Sequence, residues 1–128
     1  MKNDIIEIRI PAKPEYVLVV RLTASAITAR VGLNIDDIED FKVAIAEACI
    51  SIINQKKKYK MLKIVFEIGN SIRVIVSGDE IANEDSEEEK TEEQDLSQYI
   101  IESLMDSVEF IKEQETIIQI KMEKKIKD

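Results

Sequence analysis

Met61-Leu62-Lys63-Ile64-Val65-Phe66-Glu67-Ile68, then Gly69-Asn70, then Ser71-Ile72-Arg73-Val74-Ile75-Val76-Ser77, is the stretch that decides the fold class. Two apolar, β-branched runs of strand length joined through Gly-Asn predict a tight β-hairpin. Upstream, Ile38, Phe41, Ile45, Ala48, Cys49 and Ile52 recur at helical spacing. They predict a helix beginning after Asn34, with Asp36 and Asp37 in its first turn, where negative charge suits the helix dipole. Lys56-Lys57-Lys58 and Lys60 then fall at its C-terminus, where cations suit it. A different face of the same helix carries Val43, Glu47, Ser51 and Asn54.

An earlier helix is predicted from about Glu15 to Val31, with Pro14 in the first turn and Gly32 as its cap. Val17, Val20, Ala24, Ile27 and Val31 form one apolar stripe, while Leu18, Leu22 and Ala29 give a second. A helix that is apolar on most sides is buried on most sides. Either a sheet and a neighbouring helix cover both faces, or the second face meets a partner or another copy of the chain. Before it, Ile6, Ile8 and Ile10 alternate with Glu7 and Arg9 as a half-buried strand ending at Pro11.

Downstream of the hairpin, the segment 79–95 holds ten acids (Asp79, Glu80, Glu84, Asp85, Glu87, Glu88, Glu89, Glu92, Glu93 and Asp95) against Lys90 alone. It carries −9 of a net charge of −8, so the rest of the chain sums to +1. This composition predicts an acidic, mobile loop. Leu96, Ile100, Ile101, Leu104, Met105 and Val108 mark a third helix. Ser107–Lys112 and Thr116–Lys124 read as a closing hairpin with Thr116, Ile118, Ile120 and Met122 on one face. The order β–α–α–β–β–loop–α–β–β predicts one α+β domain over 1–128, a two-layer sandwich with helices on one face of a mixed, mostly antiparallel sheet.

Composition narrows the chemistry. A chain of 128 residues, 45% of them apolar, builds one core. The absence of histidine excludes His-based acid/base catalysis, serine triads and most zinc sites. Cys49 is the sole cysteine, so no internal disulfide forms, and its apolar surroundings predict a small buried hydrophobe. No apolar run approaches the ~20 residues of a membrane span, and Met1 to Arg9 lacks a signal-peptide core, so a cytoplasmic protein is expected. With its basic residues at a helix end and no interleaved aromatics, the chain is not expected to bind nucleic acid.

Three stretches resemble the bacterial anti-sigma-factor serine kinases of the GHKL ATPase superfamily, to which gyrase and the histidine kinases belong. They are Ile10-Pro11-Ala12-Lys13-Pro14-Glu15-Tyr16-Val17 leading to Arg21-Leu22-Thr23; Asp36-Asp37-Ile38-Glu39-Asp40 leading to Lys42-Val43-Ala44-Ile45-Ala46-Glu47-Ala48-Cys49; and Glu102-Ser103-Leu104-Met105-Asp106. The resemblance covers the chain outside the acidic segment and implies the same helices-over-sheet fold. It also implies a site for ATP and magnesium, with Glu47 as the general base that takes the proton of an attacking serine hydroxyl.

Where the family has a magnesium-binding asparagine one turn after that base, this chain has Ser51. Where the family has Asp-x-Gly-x-Gly, whose aspartate reads adenine, it has Ser77-Gly78-Asp79-Glu80-Ile81-Ala82; sliding by one residue gives Asp79 the role and leaves Ile81 at a glycine position. The family's Gly-x-Gly lid ahead of the third helix is replaced by Gln94-Asp95-Leu96-Ser97-Gln98. Phosphate-cradling loops need glycine for close backbone approach. Of the three glycines here, Gly32 reads as a helix cap and Gly69 as a turn, which leaves Gly78.

The expectation is therefore a pseudokinase with no cofactor and no metal, acting by protein–protein binding. The resemblance implies as partners a sigma factor and an antagonist protein, with partner contact in the first-helix region at Arg21 and Tyr16; the second apolar face of that helix predicts a homodimer. An active ATP-dependent serine kinase with divergent boxes is the alternative and rests on Glu47. A self-associating regulatory subunit is the third reading.

Overall fold

The computed structural model describes residues 3–82 and 92–126, with the side chains of 92–95 left aside. The chain runs β1 (Asp4–Pro11), one turn of 3-10 helix (Pro14–Tyr16), α1 (Val17–Arg30), α2 (Ile35–Ile53), β2 (Tyr59–Ile68), β3 (Ser71–Ile81), α3 (Glu92–Leu104), β4 (Ser107–Glu113) and β5 (Thr116–Lys125). The strands form one sheet in the order β1-β2-β3-β5-β4. Every neighbouring pair is antiparallel, where the sequence had allowed for a mixed sheet.

Strand side chains alternate between the two faces of a sheet. Ile10 on β1, Leu62, Ile64 and Phe66 on β2, Ile72, Val74 and Val76 on β3, and Ile120 and Met122 on β5 are buried. They meet Phe41, Ile45, Ala48, Cys49 and Ile52 of α2 and Val20, Ala24 and Ile27 of α1 in one core. The intervening residues, Arg9, Lys63, Glu67, Arg73, Lys121 and Glu123 among them, occupy the other face, and all three helices lie on the apolar one. Asn34 caps α2 by accepting from the Asp37 amide at 2.8 Å. At the far end of α2, Lys58 Nζ donates to the Ile53 carbonyl at 3.1 Å, which is the role expected of the lysine cluster.

Several local expectations are corrected. Asp79, Glu80 and Ile81 extend β3, and α3 already begins at Glu92, so neither end of the 79–95 segment is loop. Its residues 83–91, and with them the expected mobility, lie outside the described residues. A register shift at Ile111/Lys112 turns Ile117, in place of Ile118, into the core. The 3-residue rise of Pro14–Tyr16 takes the first turn assigned to α1. Gly32 sits at φ 83°, the left-handed cap that glycine favours, whereas Gly69 admits the Asn3 side chain where a Cβ would stand.

The β4–β5 turn places Gln114 and Glu115 at φ 51° and 66°. Left-handed backbone costs an ordinary residue roughly 1–2 kcal/mol. Replacing the pair by Asn-Gly is therefore expected to stabilise the chain by about 1 kcal/mol, raising Tm by roughly 3–5 °C in a thermal melt. Cys49 is buried, and desolvation pushes its thiol up to about 12 from a usual value of 9.0. Its folded pKa exceeds its unfolded one, so the folded state keeps a proton that the unfolded state loses above pH 9. Stability is unaffected by this thiol below that pH and declines as pH rises from 9 towards 12. Urea midpoints across pH 8 to 10.5 should fall more steeply in the wild type than in Cys49→Ala, which retains only the decline due to other groups such as Tyr59.

Candidate functional site

Glu47 lies in the middle of α2 on the side that α3 covers. Its Oε2 accepts a hydrogen bond of 2.7 Å from Ser97 Oγ, a length typical of a hydroxyl donating to a carboxylate. One turn further along α2, Ser51 is only 1% exposed. Its Oγ has no hydrogen-bond partner among the described residues. Magnesium holds near-ideal octahedral geometry and keeps several of its waters. A hydroxyl sealed to this degree leaves no space for a hydrated ion. Next to it, Gln55 is buried and bridges α2 to β5: Nε2 donates to the Ser51 carbonyl at 2.9 Å, and Oε1 accepts from the Ile117 amide at 3.1 Å.

Asp79 is placed away from Glu47. Its Oδ2 meets Arg9 Nε at 2.8 Å, and the same arginine reaches Glu80 Oε1 at 3.4 Å. Arg9 neighbours the buried Ile10 on β1 and so faces away from the helices. Asp79 is on that outer face with it. The ion pair raises the Arg9 pKa, first through the hydrogen bond to Asp79 and then through its charge. Both groups are well solvated, and such pairs contribute little to stability.

The backbone at Glu80 admits a second placement of the family's Asp-x-Gly box beside the one that gives Asp79 the role. Glu80 has φ 56°, a conformation that favours glycine. If Glu80 stands at the first glycine, the aspartate position two residues earlier is Gly78, and this chain has no side chain there. Gly78 lies opposite Leu62 in the β2–β3 ladder. A Cβ on Gly78 would stand 2.3 Å from ring carbons of Tyr59, so the tyrosine ring fills the direction in which the aspartate would project. Lys57 Nζ is 5.9 Å from the centre of that ring, within cation–π range. Burial, and then the charge of Glu113, raise the Tyr59 pKa. A cleft of about 380 Å³ opens beside it, lined by Lys57, Tyr59, Gly78, Asp79 and Gln119 among others, and by neither Glu47 nor Ser51.

The histidine kinase-like ATPase domain matches this chain over residues 10–124. The chain belongs to that family. Its relatives include the serine-protein kinase RsbW of Staphylococcus aureus strain bovine RF122 / ET3-1 and that of strain MRSA252, each 38% identical over 98% of this chain and 89% of the relative. The same-named protein of strain MSSA476 is 37% identical over the same shares. The three stretches that suggested a GHKL serine kinase thus identified the family correctly. The alignment to these RsbW kinases runs to 144 residues but takes in 98% of a 128-residue chain, so about 19 of its positions have no counterpart here.

Within this ATPase fold, Arg21 and Tyr16 sit at the opposite, α1 side of the helical layer. Tyr16 caps α1 and is exposed. Arg21 is half-buried, and its Nε has no hydrogen-bond partner among the described residues. Leu18, three residues before it on the same side of the helix, and Leu22, one turn beyond Leu18, are 58% and 60% exposed, and Ala29 is exposed too, so the second apolar face of α1 is uncovered. Ser97, Tyr59 and Gln55 were not anticipated as site residues. Ser97 stands in the stretch that replaces the family's lid and carries no mark of its own, and nothing in the spacing of Tyr59 and Gly78 marks a contact across two strands.

Proposed function

We propose that this protein is an anti-sigma-factor-type regulator that works by binding protein, a sigma factor or its antagonist, without binding ATP or phosphorylating its partner. The observation that carries this reading is the state of the four positions a nucleotide would need. Glu47 is held by Ser97, Ser51 is sealed without room for a hydrated metal ion, Gly78 offers no carboxylate, and Asp79 faces the other side of the sheet. The residues present do not fit magnesium-ATP, and no catalytic step is routed through it.

Binding is assigned to α1. Arg21 offers a guanidinium fork suited to a carboxylate, and the exposed Leu18 and Leu22 supply apolar area on the adjoining face. The same face is where a homodimer would form. None of the described helices is long and apolar enough to cross a membrane, in keeping with a cytoplasmic regulator. The reading is tested by measuring the affinity of the chain for a sigma factor with and without magnesium-ATP. Unchanged affinity is expected; a shift of tenfold or more overturns nucleotide independence. The second reading, an active serine kinase, is favoured by the retained Glu47 and by the name its relatives carry. Incorporation of labelled phosphate into a co-purified antagonist protein would establish it.

A further inference from the structure

We propose that Ser97 and Glu47 form an internal latch that fastens α3 to α2 without a ligand and keeps the Glu47 carboxylate occupied. Among the residues 96–104 of α3, only Ser97 and Ile101 are buried, one turn apart on the same face. Leu96, Tyr99 and Ile100 are exposed. The apolar contact of α3 with the core is therefore concentrated at its C-terminal end, in Ile101 and the following Met105. In its N-terminal half the buried Ser97 donates Oγ to Glu47 Oε2 at 2.7 Å, a direct tie between α3 and α2.

The chemistry of that bond has a second consequence. A serine hydroxyl donating to the Glu47 carboxylate is the contact an incoming phospho-acceptor serine would make with a general base at this position. Ser97 makes it from within the chain, so an external serine competes against a tethered one at high effective concentration. The latch thus ties the third helix to α2 from within the chain, with no ligand needed. It extends the nucleotide-independent reading above by naming what fills the site.

The test compares Ser97→Thr with Ser97→Val, which share a shape and differ in the hydroxyl, by amide hydrogen exchange of residues 98–104 in the full chain. Ser97→Thr is expected to exchange like the wild type. Ser97→Val is expected to exchange at least about tenfold faster there, since a hydrogen bond to a charged group is lost, while the β2 amides stay unchanged. Glu47→Ala should give the same acceleration, and Ser97→Val with Glu47→Ala should add nothing further. Equal exchange in Ser97→Thr and Ser97→Val, or additive effects of Ser97→Val and Glu47→Ala, overturns the latch. Should Ser97→Val fail to fold, the Glu47→Ala arm decides by the same criterion. Slower α3 exchange of the wild type on adding magnesium-ATP would defeat nucleotide independence and leave the Thr/Val comparison standing, so the two proposals fail separately.

Discussion

Gly78→Asp, the substitution that returns a carboxylate to the Asp-x-Gly position, is expected to cost about 2 kcal/mol of stability and to confer no nucleotide binding. The new Cβ would stand 2.3 Å from the Tyr59 ring, and forcing atoms into a packed space typically costs roughly 1–3 kcal/mol. A ring that swung aside would also give up its cation–π contact with Lys57 Nζ, 5.9 Å from its centre. Removing the ring removes the conflict. In a Tyr59→Ala background the cost of Gly78→Asp should fall by at least about 1 kcal/mol, the size of coupling found between residues in contact. Urea unfolding of the four proteins measures it. An equal cost in both backgrounds would mean that Tyr59 does not occupy the aspartate's place.

The second large effect is on partner binding. Leu22 and Arg21 neighbour each other on α1, and Leu22 is 60% exposed. Leu22→Glu and Arg21→Glu are each expected to weaken sigma-factor or antagonist binding by roughly 30-fold or more, as the loss of a central interface residue does. Leu22→Glu should change the unfolding free energy by no more than about 0.5 kcal/mol, since exposed positions away from special contacts rarely do more. Binding that survives both substitutions would remove α1 from the interface.

What was legible in the sequence follows the reach of each signal. The α2 stripe from Phe41 to Ile52 and the β2–β3 hairpin were readable because periodicities of 3.6 and 2 are written along the chain itself. The double apolar surface of α1 was readable too, and Leu18, Leu22 and Ala29 are indeed uncovered. The β4–β5 register was not, because the shift at Ile111/Lys112 inserts a residue that alternation alone does not reveal. Composition misplaced the ends of the acidic segment. Asp79 and Ile81 are drawn into β3 by their ladder with β2, and Asp79 and Glu80 also meet Arg9, 70 and 71 positions away.

The candidate site divides in the same way. Glu47 and Ser51 were found because one helix turn fixes their spacing. The fate of the Asp-x-Gly box was not, because it depends on a backbone angle at Glu80 and on a ring contributed by the neighbouring strand. The part Ser97 plays was hidden for a related reason. A serine in a polar stretch carries no sign of facing a carboxylate 50 positions away. Local chemistry could be counted in advance, and tertiary contacts could not.

Calorimetric titration of the purified chain with magnesium-ATP bears most directly on whether this ATPase fold has given up its nucleotide. With Ser51 sealed, Gly78 bare and Glu47 held by Ser97, no saturable heat is expected up to millimolar nucleotide. A single-site isotherm with sub-millimolar affinity would contradict the account and return the chain to the working kinases.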